Sequence, residues 1–235
     1  MMMRNTIEYK VFGKYALFSD IVTKIGGEKM SYPVPSYQAL KGITESIYWK
    51  PTIIWYIDEV RILNPISMDS KGVRTIKYNN QKEQDLSFYS YLTDVAYQVR
   101  AHFEFNPNRP ELVLDQNEHK HHNIAKRMVE KGGRRDIFLG TRECQAYVVP
   151  EEFGSGKGYY DEAGELTFAL MLHGLNYPDE TGHDILQVRM WQPVMKNGVI
   201  RFIRPEECKI IRDLHKLETK LFTLDDICTA EQFEE

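Results

Sequence analysis

Cysteine is scarce in this chain of 235 residues, which has three, at positions 144, 208 and 228. Their spacings are long and no CxxC pair occurs, so neither a disulfide framework nor a zinc ribbon is indicated. No stretch approaches the roughly 18 apolar residues of a membrane span. The opening segment MMMRNTIEYK lacks the apolar run of a signal peptide. We therefore expect a protein of the reducing cytoplasm.

An excess of positive charge is also missing. The chain has 30 Lys and Arg against 34 Asp and Glu, a formal net charge of −4 and a pI of about 6.0. Because a general polyanion binder is usually basic overall, any nucleic-acid surface here must be a local patch. What is present is ordinary globular material, 42% hydrophobic and 27% charged, in a length that can bury a core.

The first half of the chain has clear periodic segments. We predict strands at 6–13, 52–63 and 91–105, and helices at 35–49 and 115–131. Pro35 and Ser36 are suited to open the first helix, and Asp115 or Asn117 to cap the second. We expect long loops at 13–34 and at 67–89, the latter with a short strand near RTIKY. The order strand, helix, strand, strand, helix is close to that of a ferredoxin-like fold.

The second half favours strands. CQAYVV, TFALMLHGL, ILQVRMWQPV and VIRFI are short β-rich runs, and a KNG turn at 196–198 separates the last two. We expect the last 25 residues to be acidic and partly helical. The sequence thus predicts an α+β protein, with a ferredoxin-like domain at 1–130 and a smaller antiparallel β-rich domain at 131–235.

One stretch, NEHKHHNIAKRM at 117–128, holds three histidines and a lysine in four consecutive positions. His119 and His122 have the i,i+3 spacing of metal ligands on a helix. Their next neighbours on that face, Asn123 and Lys126, cannot complete a site, and no second His or Cys cluster exists. We therefore predict no metal site.

The helical geometry separates the three histidines. His121 shares a face with Ile124 and Ala125, at the edge of the apolar stripe, whereas His119 and His122 should face outward. From the residues alone, two interpretations of this stretch stay open. It is either a packed His121 with solvated neighbours or an acid-base group of a nuclease.

Positive charge is concentrated around this helix. Residues 116–135 contain six Lys or Arg against two Glu, and KGGRRDIFLGTRE at 131–143 adds one more arginine. Glycines let backbone amides approach phosphate, and arginines bind it in a fork. We favour an anion-binding surface over a solvated charge run, although GRRD could also be a buried ion-pair turn. The candidate cations are Lys126, Arg127, Arg134, Arg135 and Arg142.

Two further motifs each allow a functional and a structural interpretation. GSGKG at 154–158 is not a phosphate-binding loop, because Glu151 stands where the first glycine is needed and Gly158 where Ser or Thr is needed. We interpret it as a turn. Tyr48 and Trp49, at the end of the first helix beside Lys50, are suited to stack on bases or transfer a proton, but equally to pack in a core.

Several segments together carry a resemblance over nearly the whole chain. They are SYPVPSYQALKGITESIYWKP, GVRTIKY, YLTDVAYQVRAHFEFN, KGGRRDIFLGTREC, HGLNYPDETG and VMKNGVIRF. In order and spacing they resemble the CRISPR-associated repeat-RNA endoribonuclease of subtype I-C (Dvulg subtype), of the RAMP superfamily. The resemblance implies a ferredoxin-like N-terminal domain, similar to an RNA-recognition module, and a smaller β-rich C-terminal part.

The resemblance also implies a function. Members cut the repeat of precursor CRISPR RNA at the base of its hairpin, without metal or cofactor, and stay with the guide RNA as a subunit of the interference complex. Tyr48, Lys120 and His121 match the family's catalytic group, while His119 and His122 are departures from its motif. The alternative is a non-cleaving structural subunit that binds guide RNA.

Overall fold

The computed structural model describes residues 4–21, 23, 28–77 and 80–219. Its helices are α1 (Tyr37–Ile47), α2 (Glu118–Glu130) and the short α3 (Pro178–Thr181), with 3-10 turns at Pro110–Asp115 and Pro205–Glu207. Its strands are β1 (Thr6–Ala16), β2 (Lys29–Met30), β3 (Ile53–Ile62), β4 (Met68–Lys77), β5 (Asn80–Phe105), β6 (Ile137–Phe138), β7 (Gln145–Pro150), β8 (Glu165–Thr167), β9 (Met171–Asn176), β10 (Ile185–Trp191), β11 (Val194–Lys196), β12 (Val199–Arg201) and β13 (Ile210–Lys216). A mixed, strand-dominated α+β protein is thereby confirmed.

Within the described residues, the strands form a ten-stranded and a three-stranded sheet. The large sheet has the order β6-β7-β1-β5-β3-β12-β11-β8, with β2 and β4 also paired to β5. The small sheet has the order β13-β10-β9. Pairing is antiparallel except between β2 and β5. Strands from beyond residue 131 occur in both sheets, and the predicted division into 1–130 and 131–235 stays a prediction.

The centre of the large sheet carries the two longer helices. The α1 helix packs against β3, and α2 packs against β1 and β7. Alternate residues of β1, Ile7, Tyr9 and Val11, are buried in the core between this sheet and the helices. Period-two burial is what a strand with one covered face should show.

Both predicted helices form, within a few residues of their expected bounds. The Ser36 hydroxyl accepts a hydrogen bond from the Ala39 amide at 3.2 Å and so caps α1. For α2, the Asn117 side chain accepts from the Lys120 amide at 3.0 Å. Of the two predicted caps of α2, Asn117 is therefore the right one, and Asp115 ends the preceding 3-10 turn.

The loop predicted at 67–89 is wrong, apart from its short strand near RTIKY, which lies in β4. Strands β4 and β5 instead pair from Met68↔Leu92 to Lys77↔Asn80, as a long hairpin that continues β5. Residues 68–76 are exposed or half-buried, so this part of β4 has no buried face to impose an apolar alternation on its sequence. The loop predicted at 13–34 is likewise shortened, since β1 extends to Ala16 and β2 lies within it.

The second half contains a strand in each of the four predicted runs, β7, β9, β10 and β12, and four more, β6, β8, β11 and β13. The KNG turn joins β11 to β12 with Asn197 and Gly198 at φ of 47° and 79°, as a tight hairpin requires. Strand β13 lies where the partly helical tail was expected, and residues 220–235 are outside the described part. Among the described helices, none combines the length and hydropathy needed to cross a membrane. Cys144 and Cys208 are free and buried.

The GSGKG segment is a turn, as predicted. Arg61 donates to the carbonyls of Ser155 and Gly156 at 2.8 and 3.1 Å. The Gln98 side chain accepts from the Gly154 amide at 3.0 Å. These side chains come from β3 and β5, so the glycine-rich loop is fastened to the large sheet.

Candidate active site

Tyr48 and His121, 73 positions apart in the chain, meet where α1 ends and α2 begins. The Tyr48 hydroxyl lies 2.8 Å from His121 Nδ1. Both side chains are enclosed, with Tyr48 2% and His121 0% exposed. The rings of Phe103 and Phe105 contact the imidazole edge-on, at centroid distances of 6.0 and 6.2 Å. The pair is therefore held in one geometry by packing.

The hydrogen bonds of His121 define its tautomer. Its Nε2 lies 2.8 Å from the Asp115 carbonyl oxygen, which can only accept, so Nε2 carries the hydrogen. Burial lowers the pKa of His121, which keeps the ring neutral near pH 7. Nδ1 then has a free lone pair that accepts the Tyr48 hydroxyl hydrogen. The imidazole is thus a neutral base whose basic nitrogen points at a phenol.

Tyr48 itself retains its proton. Burial raises the pKa of Tyr48 above its ordinary value, and the Asp115 charge adds to that effect. The nearby Arg134 acts in the opposite direction, but burial is the larger influence. The phenol therefore serves as a hydrogen-bond donor at neutral pH, and it can pass on a proton only by giving its own to His121.

Asp115 completes the arrangement. Lys120 Nζ lies 2.5 Å from one oxygen of its carboxylate, and the Thr52 hydroxyl donates to the other at 2.5 Å. Burial acts against ionisation, but these hydrogen bonds and nearby positive charge lower the pKa of Asp115. Lys120 remains 43% exposed and is the accessible member of the group. We call Tyr48, Asp115, Lys120 and His121 the catalytic corner.

The structure separates the other two histidines. His119 is exposed, as expected, with its side chain 57% accessible. The expectation that His122 faces outward is wrong, because it is only 8% exposed. It lines a cavity of about 490 Å³ together with Thr6 and Ile7 of β1, since α2 lies close against that strand. Its side chain is not part of the Tyr48 hydrogen-bond group.

The five predicted cations form what we call the basic segment. All are exposed, and none forms an ion pair with another residue in the described part of the chain. The alternative of a buried ion-pair turn at GRRD is therefore wrong, since 134–136 are exposed. The members of the basic segment are Lys126, Arg127, Arg134, Arg135 and Arg142.

The double glycine places Arg134 and Arg135 at the C-terminal end of α1, next to the catalytic corner. The Gly132 and Gly133 amides close the end of α2 on the carbonyls of Val129 and Met128, at 3.0 and 2.8 Å. Both glycines have positive φ, 83° and 111°, as a left-handed helix terminus requires. The chain then turns onto the C-terminal end of α1, immediately before Tyr48.

Among the described residues, no group of three or more His, Cys, Asp or Glu is placed to hold a metal ion.

Solved structures give the class of protein to which this chain is similar. A protein titled only as CRISPR-associated superposes with a TM-score of 0.76 at 35% identity, covering 90% of this chain and 98% of that one. A functionally uncharacterized protein from Streptococcus mutans superposes with a TM-score of 0.73 at 37% identity, covering 88% and 96%. The shared fold is thus that of a CRISPR-associated protein.

Sequence relatives narrow the class to a family. Two curated proteins named CRISPR pre-crRNA endoribonuclease Cas5d align with the chain. The one from Thermus thermophilus is 28% identical over 187 residues, 75% of this chain and 76% of the relative. The one from Mannheimia succiniciproducens is 29% identical over 169 residues, 63% and 73%. A family model described as CRISPR-associated protein (Cas_Cas5) matches residues 6–203. The chain belongs to this Cas5d family, and the predicted resemblance is confirmed.

Proposed function

We propose that this protein is an endoribonuclease that cuts precursor CRISPR RNA within its repeat, at the base of the hairpin. The observation that carries the proposal is the 2.8 Å hydrogen bond between Tyr48 and a neutral, buried His121. It occurs in a family whose curated relatives are named for this activity. A fixed base of this kind suits proton transfer at neutral pH.

The reaction uses the 2′-hydroxyl of the RNA as nucleophile. The 2′ oxygen attacks the adjacent phosphorus and the bond to the 5′ oxygen breaks, leaving a 2′,3′-cyclic phosphate and a 5′-hydroxyl. His121 acts through Tyr48, because its Nδ1 is already bonded to the Tyr48 hydroxyl. Tyr48 takes the 2′ proton while passing its own to Nδ1. The leaving 5′ oxygen takes a proton from water, and His121 later returns to solvent, through Tyr48, the proton that it received, so the protein ends in its starting state.

Lys120 supplies positive charge next to the reacting phosphate. It is anchored to Asp115 at 2.5 Å but keeps an exposed side chain, so it can contact a phosphate oxygen from the surface. A cation held in place where negative charge develops stabilises the transition state. The catalytic residues are thus Tyr48, Lys120 and His121, with Asp115 as a positioning residue.

The basic segment is the binding surface for the repeat. Its five exposed side chains have no ion-pair partner in the described part of the chain, so they are available to RNA phosphates. The arrangement of the strands and helices also supports an RNA-binding role. Strands β7-β1-β5-β3 with α1 and α2 have the order and the helix placement of a ferredoxin-like, RNA-recognition-like unit, followed by a β-rich part. Retention on the guide RNA within the cytoplasmic interference complex of subtype I-C belongs to the same proposal.

A cleavage assay on a repeat hairpin tests the proposal. The full-length protein in excess EDTA should cut a repeat RNA once and leave a cyclic phosphate that phosphatase alone does not remove. A repeat with a single 2′-deoxy nucleotide at the cut site should bind and stay intact, because it lacks the nucleophile. Cleavage that needs added Mg²⁺ would contradict the mechanism. Tight binding with no cleavage of either RNA would favour the alternative, a non-cleaving guide-RNA subunit.

A further inference from the structure

The two neighbouring arginines of the basic segment have different surroundings, although both are exposed. The Arg134 amide donates to the carbonyls of Ser46 and Ile47 at 3.2 and 3.3 Å, and the Arg135 amide donates to Ser46 at 3.1 Å. These carbonyls are among the last of α1, which have no partner within the helix. The backbone of the basic segment therefore closes α1, one residue before Tyr48.

The glycine before Arg134 makes this approach possible. Gly133 has φ of +111°, and a Cβ there would lie 3.1 Å from both the Arg135 carbonyl oxygen and the Ile137 side chain. A larger residue would be strained in backbone and in packing. The position of Arg134 is therefore fixed by its own backbone and by the turn before it, whatever its side chain does.

The Arg134 side chain acts on Tyr48. Its charge lowers the pKa of Tyr48 against the effect of burial, and its amide, unlike that of Arg135, also donates to the carbonyl of Ile47, the residue before Tyr48. Lys120, the other cation of the catalytic corner, is partly neutralised by Asp115 at 2.5 Å. Arg134 forms no ion pair within the described residues and sits at the C-terminal end of α1, where a helix favours positive charge.

The position of Arg134 suits the negative charge that develops in the reaction. In-line attack puts extra negative charge on the non-bridging phosphate oxygens, and a planar guanidinium can contact two of them at once. From this geometry we propose that Arg134 is a fourth catalytic residue, which contacts the scissile phosphate and stabilises its transition state, whereas Arg135 only binds the RNA. The inference rests on the proposed function and adds a role to a residue otherwise assigned to binding.

Single-turnover cleavage with saturating protein separates the two arginines. R134A should slow cleavage by about 10²-fold, the usual effect of removing one electrostatic stabiliser of a transition state. R135A should weaken repeat binding by a similar factor to R134A while losing far less rate at saturation. R134K, which keeps the charge but loses the fork, should recover part of the rate. R212A, which removes an exposed charge from β13, should change neither quantity.

Folding is a separate readout in this experiment. The hydrogen bonds to α1 come from main-chain amides, which R134A retains, so its Tm should match that of R135A. Equal saturated rates for R134A and R135A would overturn the inference. So would an R134A defect that excess protein fully restores, since that is a binding defect. A wild-type protein that cuts no repeat RNA would instead refute the proposed function, so the two failures are distinguishable.

Discussion

The catalytic corner, apart from its exposed Lys120, differs from the basic segment in burial and in hydrogen bonding. Tyr48, Asp115 and His121 are enclosed, and their polar atoms bond to one another or to nearby side chains. The basic segment is exposed and has no ion-pair partner among the described residues. Proton transfer needs atoms held at fixed distances, whereas phosphate binding needs charges that are still available.

The free-energy cost of a substitution also differs between the catalytic corner and the basic segment. A buried polar atom that loses its partner costs about 1–3 kcal/mol, so each member of the catalytic corner depends on the others. An exposed cation is well solvated without a partner, and surface ion pairs contribute little. Substitutions in the catalytic corner should therefore alter rate steeply, while those in the basic segment other than Arg134 should alter binding gradually.

The largest effect should come from the base itself. His121→Ala should slow single-turnover cleavage by 10²-fold or more, since general acid-base groups contribute about 10²–10⁴. Repeat affinity should change little, because His121 is enclosed and cannot contact phosphate directly. Tyr48→Phe should cost a comparable factor if the proton passes through the phenol.

His122→Ala is the matched control for this comparison. It removes the neighbouring buried imidazole from the same helix, outside the Tyr48 hydrogen-bond group. Its cleavage rate should stay near that of the wild type once folding is verified by its Tm. A large loss from His122→Ala with His121→Ala nearly intact would show that the wrong histidine has been assigned.

The pH dependence of cleavage should be the next largest effect. Burial lowers the pKa of His121 from 6.5, so in the folded protein the base stays neutral to a lower pH than a free histidine. The rate at saturating protein should be level near neutrality. It should fall tenfold per pH unit only below the folded pKa, with a midpoint under 6.5. A midpoint above 6.5 would indicate a base held by negative charge, contrary to the enclosed geometry.

Local signals predicted the helices well. Ser36 and Asn117 cap α1 and α2 because each has a short polar side chain just before an apolar periodic run. The sequence does not predict the start of β4 or strand β13, because their described side chains form no buried face that would give the sequence an alternation. A period-two pattern in the sequence reflects burial of one strand face, and the described side chains of β4 and β13 are mostly exposed.

The site was less accessible to local reasoning. The sequence identifies Tyr48 and His121 only through the family resemblance, since no local pattern connects residues 73 positions apart. Asp115 was considered only as a helix cap, because its contact with Thr52 is 63 positions away. The prediction that His122 faces outward is wrong for the same reason. The sequence of α2 does not show that β1 packs against the His122 side of the helix. Long-range contacts decide such roles.

The salt dependence of repeat-RNA binding tests the role proposed for the basic segment. Lys126→Ala and Arg127→Ala should each weaken repeat binding and reduce the slope of log K against log salt. The reduction should be about 0.7 for a single-stranded contact and about 0.9 for a duplex contact. Both residues are exposed on α2, and R212A on β13 is the charge-matched control. Unchanged slopes in both α2 variants would exclude this surface from RNA binding.

The smallest effect concerns the start of α2, which carries Lys120 and His121 in its first turn. Asn117 accepts the Lys120 amide hydrogen at 3.0 Å, so Asn117→Ala should lower the free energy of unfolding by about 1 kcal/mol. Asn123→Ala makes the same chemical change at an exposed position inside α2, where alanine is the better helix former, and should not destabilise the protein. Urea unfolding of both variants measures the difference. Cleavage should fall modestly in Asn117→Ala alone, because a frayed first turn releases Lys120 from Asp115. Equal stability of the two variants would show that tertiary packing, rather than the cap, holds the catalytic corner in place.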